Sequence, residues 1–187
     1  MGFFEALTGR RKLKQPAPDR LFAMATAAVT IEHDLGLEPT GKGAIVFQPL
    51  ATSDMNQIVA EMEEVLQLTG EETGTKIERR DDSFGYRWMV LSDDEVEDLV
   101  VGLNAVNSAL RDGGYGERIL AVVVAFAGPT YFIYNVKRGA WYPFVPKAGG
   151  RQERDNEAEL RLKAQLEREL PFEADLGRWF PLWDVPL

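Results

Sequence analysis

At 187 residues, with 45% apolar and 27% charged side chains, the chain suits one globular domain with a sizeable core. The formal net charge is −9, and residues 1–20 carry five cations against two carboxylates, so this arm is +3 and the remainder −12. An acidic body repels phosphate and disfavours nucleic acid as a partner, while the lack of cysteine excludes disulfides, thiol catalysis and Cys-ligated metals.

No apolar run reaches about 18 residues, so no transmembrane helix is expected. The start of the chain lacks the order of a secretory signal, which leads to the expectation of a cytoplasmic protein. Residues 1–20 read as a basic arm ahead of a single α+β domain over 21–187. Within the arm, Phe3, Phe4 and Leu7 would share one side of a helix beside Arg10, Arg11, Lys12 and Lys14, as interfacial anchors do. A short helix docked on the body, or a frayed terminus, accounts for the same residues. Gly2 does not make a myristoylation site, because Ala6 stands where Ser or Thr is required.

Leu21–Leu35 is ambiguous, Ala-rich in the middle and β-like over Ala28–Ile31. Ala44–Phe47, bounded by glycines and Pro49, predicts a strand. Thr52 or Ser53 caps a helix with Met55, Val59, Met62 and Leu66 inward and Ile58 and Val65 widening that stripe, which Gly70 should end. Asp81–Gly85 reads as a hairpin turn, after which Tyr86, Trp88 and Val90 alternate onto one face. Ser92–Glu95 has the pattern of a capping box and predicts a helix buried through Val96, Leu99, Val100, Leu103, Val106 and Leu110. The glycines of Gly113–Gly116 stop it.

Ile119–Ala127 is apolar at almost every position and predicts a central strand covered on both faces. Gly128-Pro129 and Lys137–Gly139 turn it into Tyr131–Val136 and then Trp141–Val145, an antiparallel meander. Asn156–Glu159 suggests a second capping box and a helix to about Leu170, held by Leu160, Leu162, Leu166 and Leu170. The Pro-punctuated tail predicts no long element. It should fold back over a sheet face, with Phe180 inside and Trp183 near an edge. The expected architecture is one antiparallel sheet with helices mainly on one face.

Chemistry is sparse. His33 is the one histidine and reads as a surface or strand-end residue, so a Ser–His–Asp triad and His-rich metal sites are excluded. Asp81-Asp82 reads as a turn and Asp93–Glu95 as a helix start rather than cation sites. Lys147–Arg151 before a helix could lend backbone amides to an anion but has no Walker pattern. No catalytic, cofactor-binding or metal residue is assigned and no cofactor is expected. The candidate partner-binding residues are Phe3, Phe4, Arg10 and Arg11 in the arm, the hairpin-tip cations Lys137 and Arg138, and Trp183.

Several segments, in order along the whole chain, together resemble the PspA-associated protein PspAB family. They are Gly2–Arg10, Asp82–Trp88, Asn104–Asn107, Lys137–Phe144, Arg154–Glu157 and Leu176–Trp183. The resemblance implies association with phage-shock protein A (PspA), the coiled-coil protein that protects and remodels the bacterial inner membrane under envelope stress. It therefore implies a non-enzymatic accessory or adaptor, cytoplasmic or peripheral at the inner face of the membrane. PspA would be its partner, with transient membrane-surface contact and no nucleic acid. A chaperone-like peptide- or protein-binding module unrelated to PspA is the alternative, and it predicts a groove lined by Trp88, Tyr134 or Trp141. Element order alone suggests a YbjN or type III secretion chaperone-like fold.

Overall fold

The computed structural model describes residues 19–149 and 152–187. Along the chain run α1 (Asp19–Leu35), β1 (Pro39–Phe47), α2 (Ser53–Thr73), β2 (Lys76–Asp81), β3 (Arg87–Ser92) and α3 (Val96–Asp112). Then follow β4 (Ile119–Phe126), β5 (Thr130–Asn135), β6 (Ala140–Phe144) and α4 (Asn156–Leu166). The six strands form one antiparallel sheet in the order β2-β3-β1-β4-β5-β6. The α+β class with helices mainly on one face is therefore correct.

Strand alternation divides the apolar residues between two layers. Ile45 and Phe47 of β1, Met89 and Leu91 of β3, and Val122 and Val124 of β4 point into the larger core beneath the helices. Their neighbours Ala44, Val46, Trp88, Val90, Ala121 and Val123 point the other way. A buried side chain of this size contributes about 1.5–3 kcal/mol, so two covered faces need two covers. The helices cover the first, and the C-terminal tail covers the second through Trp179, Leu182, Trp183, Val185 and Leu187. This is why β4 is apolar on nearly every residue.

Local rules decided most elements, with informative exceptions. The ambiguous first segment is a helix, because Leu21, Met24, Ala28 and Ile31 recur three or four apart and all lie in the core. β1 begins at Pro39, earlier than its apolar stretch, with a register irregularity between Pro39 and Lys42. Thr52 caps α2 by accepting from the Met55 N–H, but the helix runs through Gly70 and ends at Gly74.

The Ser92–Glu95 capping box does not form. Ser92 is the last residue of β3, Glu95 stands at the cap without a side-chain bond, and the Asp93 carboxylate accepts the Glu95 N–H instead. On α4 the cap is Asp155, one residue before the expected one, and the helix stops at Leu166. Leu160 does not help to hold it, being exposed, whereas Leu162, Leu166 and Leu170 are buried. His33 is exposed in the last turn of α1, where its ring N–H donates to the Asp34 carboxylate, which holds the His33 pKa above the ordinary value.

Candidate functional site

The C-terminal tail is fastened to the sheet at successive points. Trp141 of β6 donates its main-chain N–H to Pro171 and accepts from Glu173, which closes part of that sheet edge. Trp179 is buried and donates its indole N–H to the Glu173 carbonyl at 3.0 Å. Its ring stacks on Tyr142, centroids 6.2 Å apart, and Trp183 meets Phe144 edge-on at 5.0 Å. The Tyr142 hydroxyl donates to the Phe180 carbonyl at 3.0 Å, and Arg80 of β2 donates to the Pro186 carbonyl at 2.9 Å.

Where the tail leaves the sheet uncovered, a cleft of about 440 Å³ opens beside it. Gln48 after β1, the short 3₁₀ turn Gly116–Arg118 before β4, Lys137 of the β5–β6 turn, and Tyr142, Phe180 and Leu182 border it. Lys137 pairs with Glu117 at 3.2 Å, and Arg118 donates to Gln48 at 3.3 Å. Burial pushes the Tyr142 phenol up, so it stays protonated. Phe180 stands at the rim with 59% of its surface exposed. A half-apolar cleft with a cationic edge and an open phenyl ring has the means to hold a protein segment.

The structure splits the sequence-predicted residues. Lys137 borders the cleft, while its neighbour Arg138 turns to the buried Glu173 and forms an ion pair with it. Arg138 therefore also serves to anchor the tail. Gly139 closes the hairpin with φ at +63°, as its position in the turn requires. Trp183 is half-buried on Phe144 and does not line the cleft. Phe180 was expected inside and is outside; in an irregular tail one buried ring, Trp179, turns its neighbour to solvent. Phe3, Phe4, Arg10 and Arg11 lie outside the described residues, as do Gly150 and Arg151 of the suggested anion loop.

Among the described residues, Trp88, Tyr134 and Trp141 do not present the open groove expected of them. All three are buried, Trp88 on the tail-covered face and the other two on the helix-covered face. The acidic pairs are also committed locally. Asp82 accepts from the Phe84 and Tyr86 N–H groups and from the Trp88 indole, each at 2.9 Å, which closes the hairpin turn. Asp93 accepts from Thr75 and Glu95. No group of three or more His, Cys, Asp or Glu among the described residues could hold a metal ion.

One cluster was not legible. Glu159 is 2% exposed and accepts from Arg154 and from the Val145 N–H at 2.9 Å. Arg154 also reaches the Trp179 carbonyl and lies over the Phe144 ring. In sequence Glu159 passes for a helix-capping residue; only the packing of α4 on β6 makes it the buried partner of an arginine.

The family model for PspAB, PspA associated protein B, matches residues 1–187. The chain belongs to this family. Comparison with the curated proteins gave no match, and comparison with the solved structures gave none either, so the likeness to YbjN and type III secretion chaperones is unsupported. No helix among the described residues of this PspAB family member is long and apolar enough to cross a membrane.

Proposed function

We propose that this protein is a non-enzymatic accessory of PspA, an adaptor in the bacterial envelope-stress response that works by protein contact. The observation that carries this reading is membership of the PspAB family along the full length of the chain. The placing is cytoplasmic or peripheral at the inner face of the membrane, with transient membrane contact through the basic arm. The cleft beside the tail, with Lys137 and the exposed Phe180 at its border, is the surface this reading assigns to the partner.

Co-purification with PspA at low and at moderate salt tests the proposal. Association that survives moderate salt and weakens in Lys137→Glu or Phe180→Ala supports contact through the cleft. No association in either salt regime would sink direct binding. The burial of Trp88, Tyr134 and Trp141 counts against the chaperone-like alternative, which expects them to line a groove.

A further inference from the structure

The helical layer carries a second surface, unrelated to the tail. Between α2 and α3 runs an open furrow of about 340 Å³, with Ile58, Met62 and Val65 on one wall and Ala105 and Ala109 on the other. The small α3 residues leave it shallow and unfilled. Val65, expected to widen the inward stripe of α2, is instead 58% exposed, because the small α3 residues opposite leave it uncovered. Leu68, three residues on and so on the same side of α2, is 61% exposed. Val101, four residues before Ala105 on α3, is 50% exposed. Two apolar rows thus face solvent along neighbouring helices, the form of a groove that receives a third helix.

The charge around the furrow is one-sided. α2 contains no Lys or Arg at all, not even in its last turn, where a cation would complement the helix dipole. Asp54, Glu61, Glu63 and Glu64 lie on α2, and Glu97, Asp98 and Asp112 on α3, against Arg111. Among these α2 carboxylates Glu63 has a cationic partner, Arg79 at 3.7 Å. Glu61 and Glu64, three apart, repel each other, and Glu61 borders the furrow itself. A solvated helix face ordinarily intersperses both signs; this one is apolar in the middle and acidic around it.

We propose that the α2–α3 furrow docks an amphipathic helix of a partner protein whose apolar row is flanked by Lys or Arg. The apolar rows supply the contact area and the carboxylates supply orientation and selection against acidic helices. The inference stands apart from the PspA reading, since it uses other residues and no family information.

The test uses the full chain and two fluorescent probe peptides, each about five helical turns long. Both have one row of Leu; one is flanked by Lys and the other by Glu. Fluorescence anisotropy should show the Lys-flanked probe binding at least about tenfold more tightly than its twin, with affinity falling as salt rises. Val65→Gln with Ala105→Gln should weaken that probe about tenfold or more, and so should Glu61→Lys with Glu64→Lys. All four positions are exposed, so an unchanged circular dichroism spectrum will accompany the loss. Equal binding of the two probes, no binding below about 100 µM, or indifference to both double variants would overturn the proposal.

A dimer in sedimentation that Val65→Gln dissolves would instead assign the furrow to a second copy, which also overturns it. So would a tenfold gain of probe affinity in Arg10→Gln with Arg11→Gln, since the chain's own arm would then be the occupant. Failure here leaves co-purification with PspA unaffected, and the two readings fail separately.

Discussion

The indole N–H of Trp141 donates to the main-chain carbonyl of Arg20 at 2.8 Å, joining residues 121 apart in the chain. The Arg20 guanidinium returns the contact by donating to the Gly139 carbonyl at 3.1 Å. The start of α1 is thereby locked onto the β5–β6 hairpin. Trp141 is fully buried and packs at 5.0 Å on Tyr134, so it anchors helix layer and sheet at once. Trp141→Phe removes the donor, leaves a carbonyl unpaired and opens a cavity, and should cost about 2–4 kcal/mol. Urea unfolding measures it, and a loss under about 0.5 kcal/mol would show that the tie does not hold α1.

The Arg154–Glu159 pair should behave as a unit. Removing one partner strands a buried charge, so Glu159→Leu or Arg154→Leu alone should destabilise by about 3–5 kcal/mol. The double variant should lose much less than the sum, because neither charge is then left alone. A double-mutant cycle in urea reads this directly. Additive losses would mean that the two residues act independently.

Gly70 reverses a common expectation. In a helix interior Gly→Ala usually stabilises by about 1 kcal/mol. Here a Cβ would lie 2.0 Å from the Thr75 carbonyl oxygen, main-chain atoms of the segment that enters β2. Gly70→Ala should therefore destabilise by about 1–3 kcal/mol and displace the end of α2. Gly74, with φ at +93° and nothing near its missing side chain, should cost about 1–2 kcal/mol on Gly74→Ala from backbone strain alone. Thermal melts of both variants check the pair, and a stabilised Gly70→Ala would refute the close approach.

Acid should weaken the hairpin and the tail. Burial pushes Asp82 up, but the Trp88 indole and the Tyr86, Phe84 and Gly85 N–H groups outweigh it and hold the carboxyl below its ordinary range. Burial also pushes Glu173 up, and the Arg138 guanidinium and the Asp175 N–H outweigh that. Both groups are more acidic folded than unfolded. Their contribution is present above the unfolded value of about 4 and is lost as pH falls through the folded one. Asp82→Asn should make stability less dependent on pH between about 5 and 2, measured by urea titrations across that window. An unchanged slope would remove Asp82 from the account.

The tail shows where a linear reading stops. Its aromatic density and prolines announced a segment folded back on the sheet, and that is how it lies. Which ring turns inward was not legible, because an irregular segment has no period to alternate by. The hydrogen bond from Trp179 to Glu173 and the ring stack on Tyr142 chose Trp179 and left Phe180 outside. The paired cations at the hairpin tip were separated likewise: Glu173, 35 residues further on, claimed Arg138.

By itself the sequence determined the class of fold, the meander of β4, β5 and β6, the buried stripe of α3 and the family. These follow from local period, turn chemistry and ordered segments, which a single chain carries within a few residues of each other. Only the tertiary structure decided that Glu159 is a buried partner rather than a cap, that Gly70 continues a helix, and that α2 and α3 leave an acidic furrow open. Each of these depends on which distant surface comes to lie against the residue, and packing, rather than local preference, sets that.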